Sequence, residues 1–308
     1  MKGTFSVLLA LSRNMKRLAV FLLICGAWLW PFGSVHAQKA FFFKIQGKTL
    51  KEPSYLFGTY HVMGNRYLEG FPQVDKAFQS SKGLVNEVRL SSVNPYQMAA
   101  LMMMKDNSIS AMLDTTAYGM VSDALKQYYG FRLQQFDQMK PMLVYTMLIS
   151  AYARQWDTLL NRYEGVALDS WFEQMADSLK KEITSLETFD EQYQMLFVDK
   201  PEEQQAKELS DMVLKSDSMR LAFQSMTRAY YSGNLDSMWK VLAATSGPQE
   251  DSDMEHLLKK RNMKWLEMLP GLMERKSQFI AVGAAHLAGP DGLVAGLKSK
   301  GFQVIQIL

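Results

Sequence analysis

The chain has 308 residues, with 34 basic and 31 acidic side chains and a formal net charge of +3. Its first 37 residues hold four of the basic residues and no acid, so residues 38–308 keep 30 basic and 31 acidic residues and a charge of −1. This balance gives no indication of binding to nucleic acid or anionic membranes. The single cysteine is Cys25, which excludes disulfides, thiolate ligands and a cysteine nucleophile from residues 38–308.

The N-terminal segment has the pattern of a secretory signal. Two basic residues precede the uncharged 13-residue run Leu18–Trp30, and the small-residue pattern Val35-His36-Ala37 follows. The run is shorter than the roughly 20 residues needed to span a bilayer. We therefore predict that residues 1–37 are a signal peptide, and that residues 38–308 form a single domain with no stable membrane anchor. The predicted location is the periplasm or the exterior of the cell.

The chain after the predicted signal begins with β-structure. Ala40–Gln46 is rich in aromatic and β-branched residues, and Ser54–Phe57 is a second apolar run after a proline. A helix is predicted at Pro72–Ser80, and a third strand at Gly83–Val88. This strand carries Glu87 close to its end.

From Pro95 to Arg275 the pattern is predominantly helical. One stretch has apolar residues at helical spacing, which predicts a single helix through Leu168, Phe172, Met175, Leu179 and Ile183. Pro201, followed by two glutamates, indicates another helix start, and Ser252 with Glu255 has the spacing of a capping box. The middle of the chain is therefore predicted to be a large helical insert.

The C-terminal end returns to β-structure. Strands are predicted at Gln278–Val282 and Phe302–Ile307, with a helix at Asp291–Lys300 between them, which is the order of a βαβ unit. We therefore predict an α/β (α+β) fold. Its central mixed sheet is formed by the N- and C-terminal segments, with the helical insert between them.

The two β-rich ends share a motif. Tyr55–Gly64 and Ile280–Gly289 each contain an apolar strand, then G-x-x-H, then a glycine three residues later. Glycine lets the chain turn sharply as it leaves the sheet, and the histidine then projects from the carboxyl end of the strand, where open α/β sheets bind ligands. The helical insert thus separates two pseudo-symmetric strand–G-x-x-H motifs, and His61 and His286 are expected to face one crevice.

The ordinary alternative for each histidine is a hydrogen-bonded surface residue. His256 fits that alternative, because it falls on the polar side of its own helix at 100° per residue. The repetition of the motif favours a functional role for His61 and His286.

Arg261 lies within an apolar helical stripe made by Met254, Leu257, Leu258, Trp265, Met268 and Leu269. A guanidinium there must be paired or must line a polar cleft, because an unpaired buried charge is too costly. Glu187 is the predicted partner. A structural ion pair and a substrate-facing role both fit Arg261, and Asn262 lies at the edge of the same stripe.

Glu87 is the remaining candidate. A carboxylate beside two histidines completes a three-ligand metal site, or acts as a general base on a bound water. The ordinary alternative is an acid at the end of a strand that pairs with Arg89.

These residues resemble the TraB/PrgY/GumN family, which includes the Tiki proteases. The resemblance covers nearly all of residues 38–308, and its matching segments are Tyr55–His61, Glu87, Lys140-Pro141, Gly165–Ala176 with Asp169, Leu186–Thr188, Gln192, Arg261-Asn262 and Phe279–Leu293. It implies an α/β core with a helical insert, distantly like erythromycin esterase and the haem-binding ChaN group. It also implies metal-dependent peptidase activity.

The resemblance carries residue roles with it. His61, Glu87 and His286 match the family's proposed active-site positions, with Arg261 and Asn262 beside them. One departure is the loop Val88–Leu90, which contains a basic residue where Tiki-like members tend to be acidic.

Two functions are therefore predicted for one cleft. The first is a metal-dependent hydrolase, a peptidase acting on peptides or proteins. In it His61, Glu87 and His286 bind a divalent metal ion, Arg261 stabilises the developing oxyanion, and Asn262 and Glu187 contact the substrate. The alternative is a non-catalytic protein that binds or sequesters a peptide, a metal or a porphyrin.

Overall fold

The computed structural model describes residues 39–47, 50–89, 91, 94–245 and 254–308. Three predictions lie outside these residues: the signal peptide of residues 1–37, its cleavage point at Gln38, and the capping box that begins at Ser252. In the part of the chain that is described, no helix is both long enough and apolar enough to cross a membrane.

The strands of the described residues form one mixed six-stranded sheet. They are β1 (Phe42–Gln46), β2 (Ser54–Thr59), β3 (Gly83–Asn86), β4 (Glu182–Ser185), β5 (Gln278–Gly283) and β6 (Gln303–Gln306). The order across the sheet is β4-β3-β5-β2-β1-β6. The contacts among β4, β3, β5 and β2 are parallel, and β1 is antiparallel to both of its neighbours. The parallel strands therefore end together at one edge.

Helices occupy most of the chain between these strands. They are α1 (Pro72–Ser80), α2 (Pro95–Leu101), α3 (Ile109–Met112), α4 (Thr115–Tyr129), α5 (Pro141–Trp156), α6 (Leu168–Ser178), α7 (Phe189–Tyr193), α8 (Glu202–Leu214), α9 (Ser216–Ser232), α10 (Leu235–Thr245), α11 (Lys260–Arg275) and α12 (Leu293–Ser299). A wide π-helical turn, Glu255–Lys259, leads into α11. The predicted α/β class with a large helical insert is confirmed.

The core forms around the central strands β5 and β2. Every residue of β5 is buried, so the strand is covered on both faces, as parallel strands in α/β proteins are. On one face Phe172 of α6 packs against Phe279 and Phe57, with ring centroids 4.9 and 5.5 Å apart. Phe78 of α1 contacts Phe279 edge-on at 5.3 Å. This aromatic cluster fixes α6 against the sheet.

One predicted helix is wrong in its length. The apolar spacing predicted a single helix through Ile183, but α6 ends at Ser178 and Ile183 lies in strand β4. The chain turns at Lys180, whose φ of 54° is left-handed, and Leu179 is 47% exposed. Ile183 fits the helical periodicity, but the chain pairs with β3 here instead. This pairing satisfies the backbone N–H and C=O groups of β4, as a helix would have done.

Other predicted elements agree more closely with the structure. The helix at Pro72–Ser80 has the predicted bounds, and α8 begins directly after Pro201. β5 and β6 run parallel with α12 between them, but β2 and β1 lie between the two strands in the sheet. The βαβ order is therefore correct, while the crossover skips two strands.

Candidate functional site

The candidate site lies where three neighbouring parallel strands end. β5 pairs with β2 on one side and with β3 on the other, so the three carboxyl ends share one edge of the sheet. His61 follows β2 by two residues, Glu87 directly follows β3, and His286 follows β5 by three residues. The topology therefore brings all three side chains to the edge where open α/β sheets bind ligands.

The three side chains meet around Gly283. A Cβ atom added to this glycine would lie 3.3 Å from Oε1 of Glu87 and 3.7 Å from both Cδ2 of His286 and Nε2 of His61. Nε2 of His286 is 3.9 Å from the same oxygen of Glu87. The predicted convergence of the two G-x-x-H motifs on one cleft is confirmed, and a side chain at position 283 would fill the space between them.

Glu87 is held as a carboxylate. Its Oε1 accepts the Gly283 N–H at 2.7 Å, and its Oε2 accepts a hydrogen bond from Nη2 of Arg261 at 2.5 Å. Burial alone would raise the pKa of Glu87, but the facing groups of His286, Arg261 and His61 lower this pKa to about 2. The alternative pairing of Glu87 with Arg89 is not formed, since Arg89 contacts Asp177 at 2.7 Å.

Arg261 contacts Glu187, Glu87 and His286 at the same time. Its Nε and Nη2 donate to the two oxygens of Glu187 at 2.7 and 3.0 Å, and Nη2 also reaches Glu87. Its Nη1 donates to the Leu257 carbonyl at 3.0 Å and to Nε2 of His286 at 3.1 Å. Only 13% of its side chain is exposed, and the two carboxylates raise its pKa against the effect of burial. The predicted pairing with Glu187 is confirmed.

His286 is neutral and its tautomer is defined by Asn262. The amide nitrogen of Asn262 donates to two carbonyl oxygens, those of His286 and Asp291, so its Oδ1 is an acceptor. Nδ1 of His286 therefore carries the proton and donates to this oxygen at 2.7 Å. Burial lowers the pKa of His286 to about 3. The unprotonated Nε2 of His286 faces the cleft and accepts a hydrogen bond from Nη1 of Arg261.

His61 differs from His286 in being open to solvent. Its side chain is 71% exposed, and Nδ1 contacts Oδ2 of Asp169 at 2.8 Å. This carboxylate raises the pKa of His61 to about 9. Asp169 is itself held by the Thr59 hydroxyl, which donates to its other oxygen at 2.5 Å. The ring is therefore oriented so that Nε2 faces the cluster around Gly283.

Two supporting residues were not among the predicted site residues. Asp169 stands in the first turn of α6 within an apolar helical segment, a placement that also suits an acid interacting with the helix dipole. Trp265 was predicted only as part of the apolar stripe, but its Nε1 donates to Glu187 at 3.1 Å and its ring lies 4.3 Å from that of His286. A buried indole beside predicted site residues is the signal that sequence reasoning overlooked.

Glu187 and Asn262 lie behind the cleft. The side chain of Glu187 is 5% exposed, and both of its oxygens accept from Arg261. Asn262 is 2% exposed and is fully used in holding His286. Their contact with a substrate stays a prediction, and this geometry favours a role in fixing Arg261 and His286.

His61, Glu87 and His286 are the candidate ligands for a divalent cation. Two imidazoles and one carboxylate have the right chemistry, and a carboxylate behind the His61 ring is a common support for a metal ligand. Yet Arg261 takes the Nε2 lone pair of His286 and one oxygen of Glu87. Among the described residues no group of three His, Cys, Asp or Glu side chains is arranged to hold a metal ion. The three residues are of the types that bind divalent cations. All three can bind one ion only if Arg261 moves away from His286 and Glu87.

The fold and this cluster define an α/β protein with a histidine–carboxylate–arginine site at the sheet edge. Residues 41–306 match the TraB/PrgY/gumN family, and the chain belongs to that family.

Two curated relatives are similar to this chain. Metalloprotease TIKI2 of Xenopus tropicalis is 25% identical over 312 aligned residues, which cover 82% of this chain and 57% of that protein. Metalloprotease TIKI1 of the same species is 25% identical over 313 residues, covering 82% of this chain and 59% of that protein. The chain therefore spans less than two thirds of the length of these relatives. No solved structure gives a significant match.

We expect acid to destabilise the fold through His286 and Glu87. Both have folded-state pKa values below their ordinary ones, about 3 instead of 6.5 and about 2 instead of 4.5. The unfolded chain therefore binds more protons, and the free energy of unfolding should fall as the pH drops from 6.5 to 3, with Glu87 contributing below 4.5. Urea unfolding of the protein in chelator at pH 7, 5 and 4 measures this slope.

His286→Gln should flatten the slope between pH 6.5 and 4.5, because it removes the imidazole that resists protonation. The matched control is His256→Gln, at an exposed histidine that contacts Lys260. Equal slopes in the two variants would contradict a buried neutral His286.

Arg261→Ala should lower the free energy of unfolding by about 3–5 kcal/mol, since it leaves the buried carboxylates of Glu87 and Glu187 uncompensated. Adding Glu187→Gln should recover part of this loss, because the two side chains form one ion pair. Urea unfolding of the single and double variants tests this coupling. Arg162→Ala, at an exposed position, is the control, and a loss of equal size there would show that the Arg261 network contributes little.

Proposed function

We propose that this protein is an exported, metal-dependent hydrolase that cleaves peptide bonds in peptides or proteins. The observation that carries the proposal is the meeting of His61, Glu87 and His286 around Gly283, beside a buried arginine. Membership of the family and the names of the two metalloprotease relatives support the reaction class.

His61, Glu87 and His286 would hold the divalent metal ion. The ion would polarise the scissile carbonyl and lower the pKa of a bound water. Asp169 keeps the Nε2 of His61 directed into the cleft, and Asn262 keeps the Nε2 of His286 free of a proton. Asn262 therefore presents His286 in the tautomer that a ligand requires, whereas His61, whose pKa is raised to about 9, would release its Nε2 proton when the ion binds.

His286, Arg261 and His61 together lower the pKa of Glu87, and Arg261 does so by direct contact. While its guanidinium contacts Oε2, the pKa of Glu87 near 2 makes this carboxylate a weak base. Movement of Arg261 away from Glu87 would raise that pKa and let the carboxylate act as the general base on the attacking water, instead of as a ligand of the ion. The displaced guanidinium would then be placed to stabilise an oxyanion on the substrate.

A second function is favoured by one specific observation. Arg261 occupies lone pairs of both Glu87 and His286, so His61 is the member of the cluster with an accessible nitrogen. A cleft that keeps this arrangement would bind a peptide, a metal or a porphyrin without turnover. The second candidate is therefore a non-catalytic binding or sequestering protein.

Digestion of an unbiased peptide library by the purified protein should give defined cleavage products that disappear with a chelator and return with a divalent metal. His61→Ala, Glu87→Gln and His286→Ala should each lower kcat/KM by about 100-fold or more, because each removes a metal ligand. The double histidine variant should lose little more, since the residues act as one unit.

The control variant is His256→Ala, which should keep wild-type activity. Cleavage that survives both the chelator and the His61→Ala change would contradict the proposal. Stoichiometric binding of a metal, peptide or porphyrin without any cleavage would favour the second candidate.

Export is proposed from the signal-like residues 1–37, and the remaining residues 38–308 are proposed to form the single mature domain. Mass spectrometry of the protein from its native host should find an N-terminus near Gln38. An intact chain that retains Leu18–Trp30 in the membrane fraction would exclude the cleaved, exported form.

A further inference from the structure

A small cavity adjoins the exposed face of the candidate site. It has a volume of about 110 Å³ and is lined by His61, Val62, Gly64, Ser150, Arg154, Gly165 and Ala167. His61 is therefore shared between the cavity and the cluster around Gly283. A group bound in the cavity would lie beside the proposed reacting centre.

The cavity floor is a rigid pair of backbone segments. Asn65 N–H donates to the Val166 carbonyl at 2.8 Å, and Leu168 N–H donates to the Met63 carbonyl at 3.0 Å. A Cβ on Gly64 would lie 2.2 Å from the Tyr163 carbonyl oxygen, so only glycine permits this approach. Backbone hydrogen bonds therefore hold the floor of the cavity in place, while His61, Ser150 and Arg154 contribute side chains to its walls.

The wall opposite the floor comes from α5. Ser150 and Arg154 are four residues apart and share one face of this helix. The Ser150 hydroxyl donates to the Thr146 carbonyl at 2.9 Å, so its hydrogen is already used. Arg154 is exposed to solvent and pairs with no carboxylate in the part of the chain that the structure describes, which leaves its guanidinium donors available.

The lining contains a permanent cation and no acidic side chain. An uncompensated guanidinium beside a small cavity matches a carboxylate, which it can bind through two parallel hydrogen bonds. A volume of about 110 Å³ leaves room for a carboxylate beside Arg154. A peptide offers such a group at its C-terminus or on an acidic side chain.

We propose that this cavity is a substrate subsite in which Arg154 binds a carboxylate of the peptide next to the bond to be cleaved. The inference rests on the proposed peptidase function and narrows its substrates to peptides with an acidic group close to the scissile bond. Arg154 is then a specificity-determining residue that contacts the substrate through charge.

Binding is tested first, without reference to turnover. The probes are N-acetyl-Ala-Ala with a free carboxylate, the same dipeptide as its C-terminal amide, and N-acetyl-Ala-Asp amide, titrated calorimetrically at pH 7. The free acid should bind at least about tenfold more tightly than the dialanine amide, since a charge-assisted hydrogen bond is lost in the amide. Tight binding of the Asp amide would assign the subsite to acidic side chains, and weak binding would assign it to the C-terminus.

Arg154→Gln should weaken binding of the free acid by about tenfold or more, and Arg154→Lys should keep part of the affinity. The matched control is Arg162→Gln, at an exposed arginine of the same segment that does not line the cavity. Thermal unfolding of each variant confirms that its fold is retained. Equal binding of acid and amide, or wild-type binding by Arg154→Gln, would overturn the subsite.

The same variants in the library digest separate this inference from the proposed function. Cleavage with no preference for carboxylates and no effect of Arg154→Gln would reject the subsite and keep the hydrolase. Carboxylate binding that depends on Arg154, in a protein that cleaves no peptide, would keep the subsite and reject the hydrolase.

Discussion

Compensation of buried charge by Arg261 is the interaction on which the site depends. Glu87 and Glu187 come from the ends of the adjacent parallel strands β3 and β4, and both carboxylates are largely shielded from solvent. Two buried carboxylates facing the same space would repel each other. The guanidinium between them compensates both negative charges and at the same time contacts Nε2 of His286.

This network explains why the two histidines of a repeated motif behave so differently. His286 is enclosed by Asn262, Trp265 and Arg261, so burial keeps it neutral. His61 faces solvent and has an acid behind it, which favours its protonated form. The motifs share a sequence pattern but not a backbone geometry, since Gly58 lies inside β2 and Gly283 is the last residue of β5. The helices packed on them hold His286 as a neutral acceptor and leave His61 accessible.

The arrangement also bears on the choice between hydrolysis and binding. Arg261 satisfies Glu87 and His286 with a single positive charge, and a divalent cation bound by the same atoms would have to replace those contacts. Nη1 of Arg261 also donates to the Leu257 carbonyl, which lies in the wide turn Glu255–Lys259. Wide turns of this type often occur at functional sites, and this one leads directly into the helix that carries Arg261.

The sequence alone determined the elements at the two ends of the chain and the residues that meet between them. Strand periodicity located β2 and β5, although β2 continues through Gly58 to Thr59 where the glycine was predicted to turn the chain out of the sheet. An arginine in an apolar stripe required a buried acid, which made Glu187 a sound choice. Local pattern could not show that Ile183 enters a strand, because four residues pair only when β3 is already beside them.

Tertiary structure alone decided which partners the two histidines have. Asp169 reaches His61 from α6, Asn262 reaches His286 from α11, and Arg154 reaches the cleft from α5, each across a large separation in sequence. Spacing along a helix predicts which face a residue occupies, but not which surface that face meets. The partners, and with them the proton state of each histidine, depend on how the helical insert folds back onto the edge of the sheet.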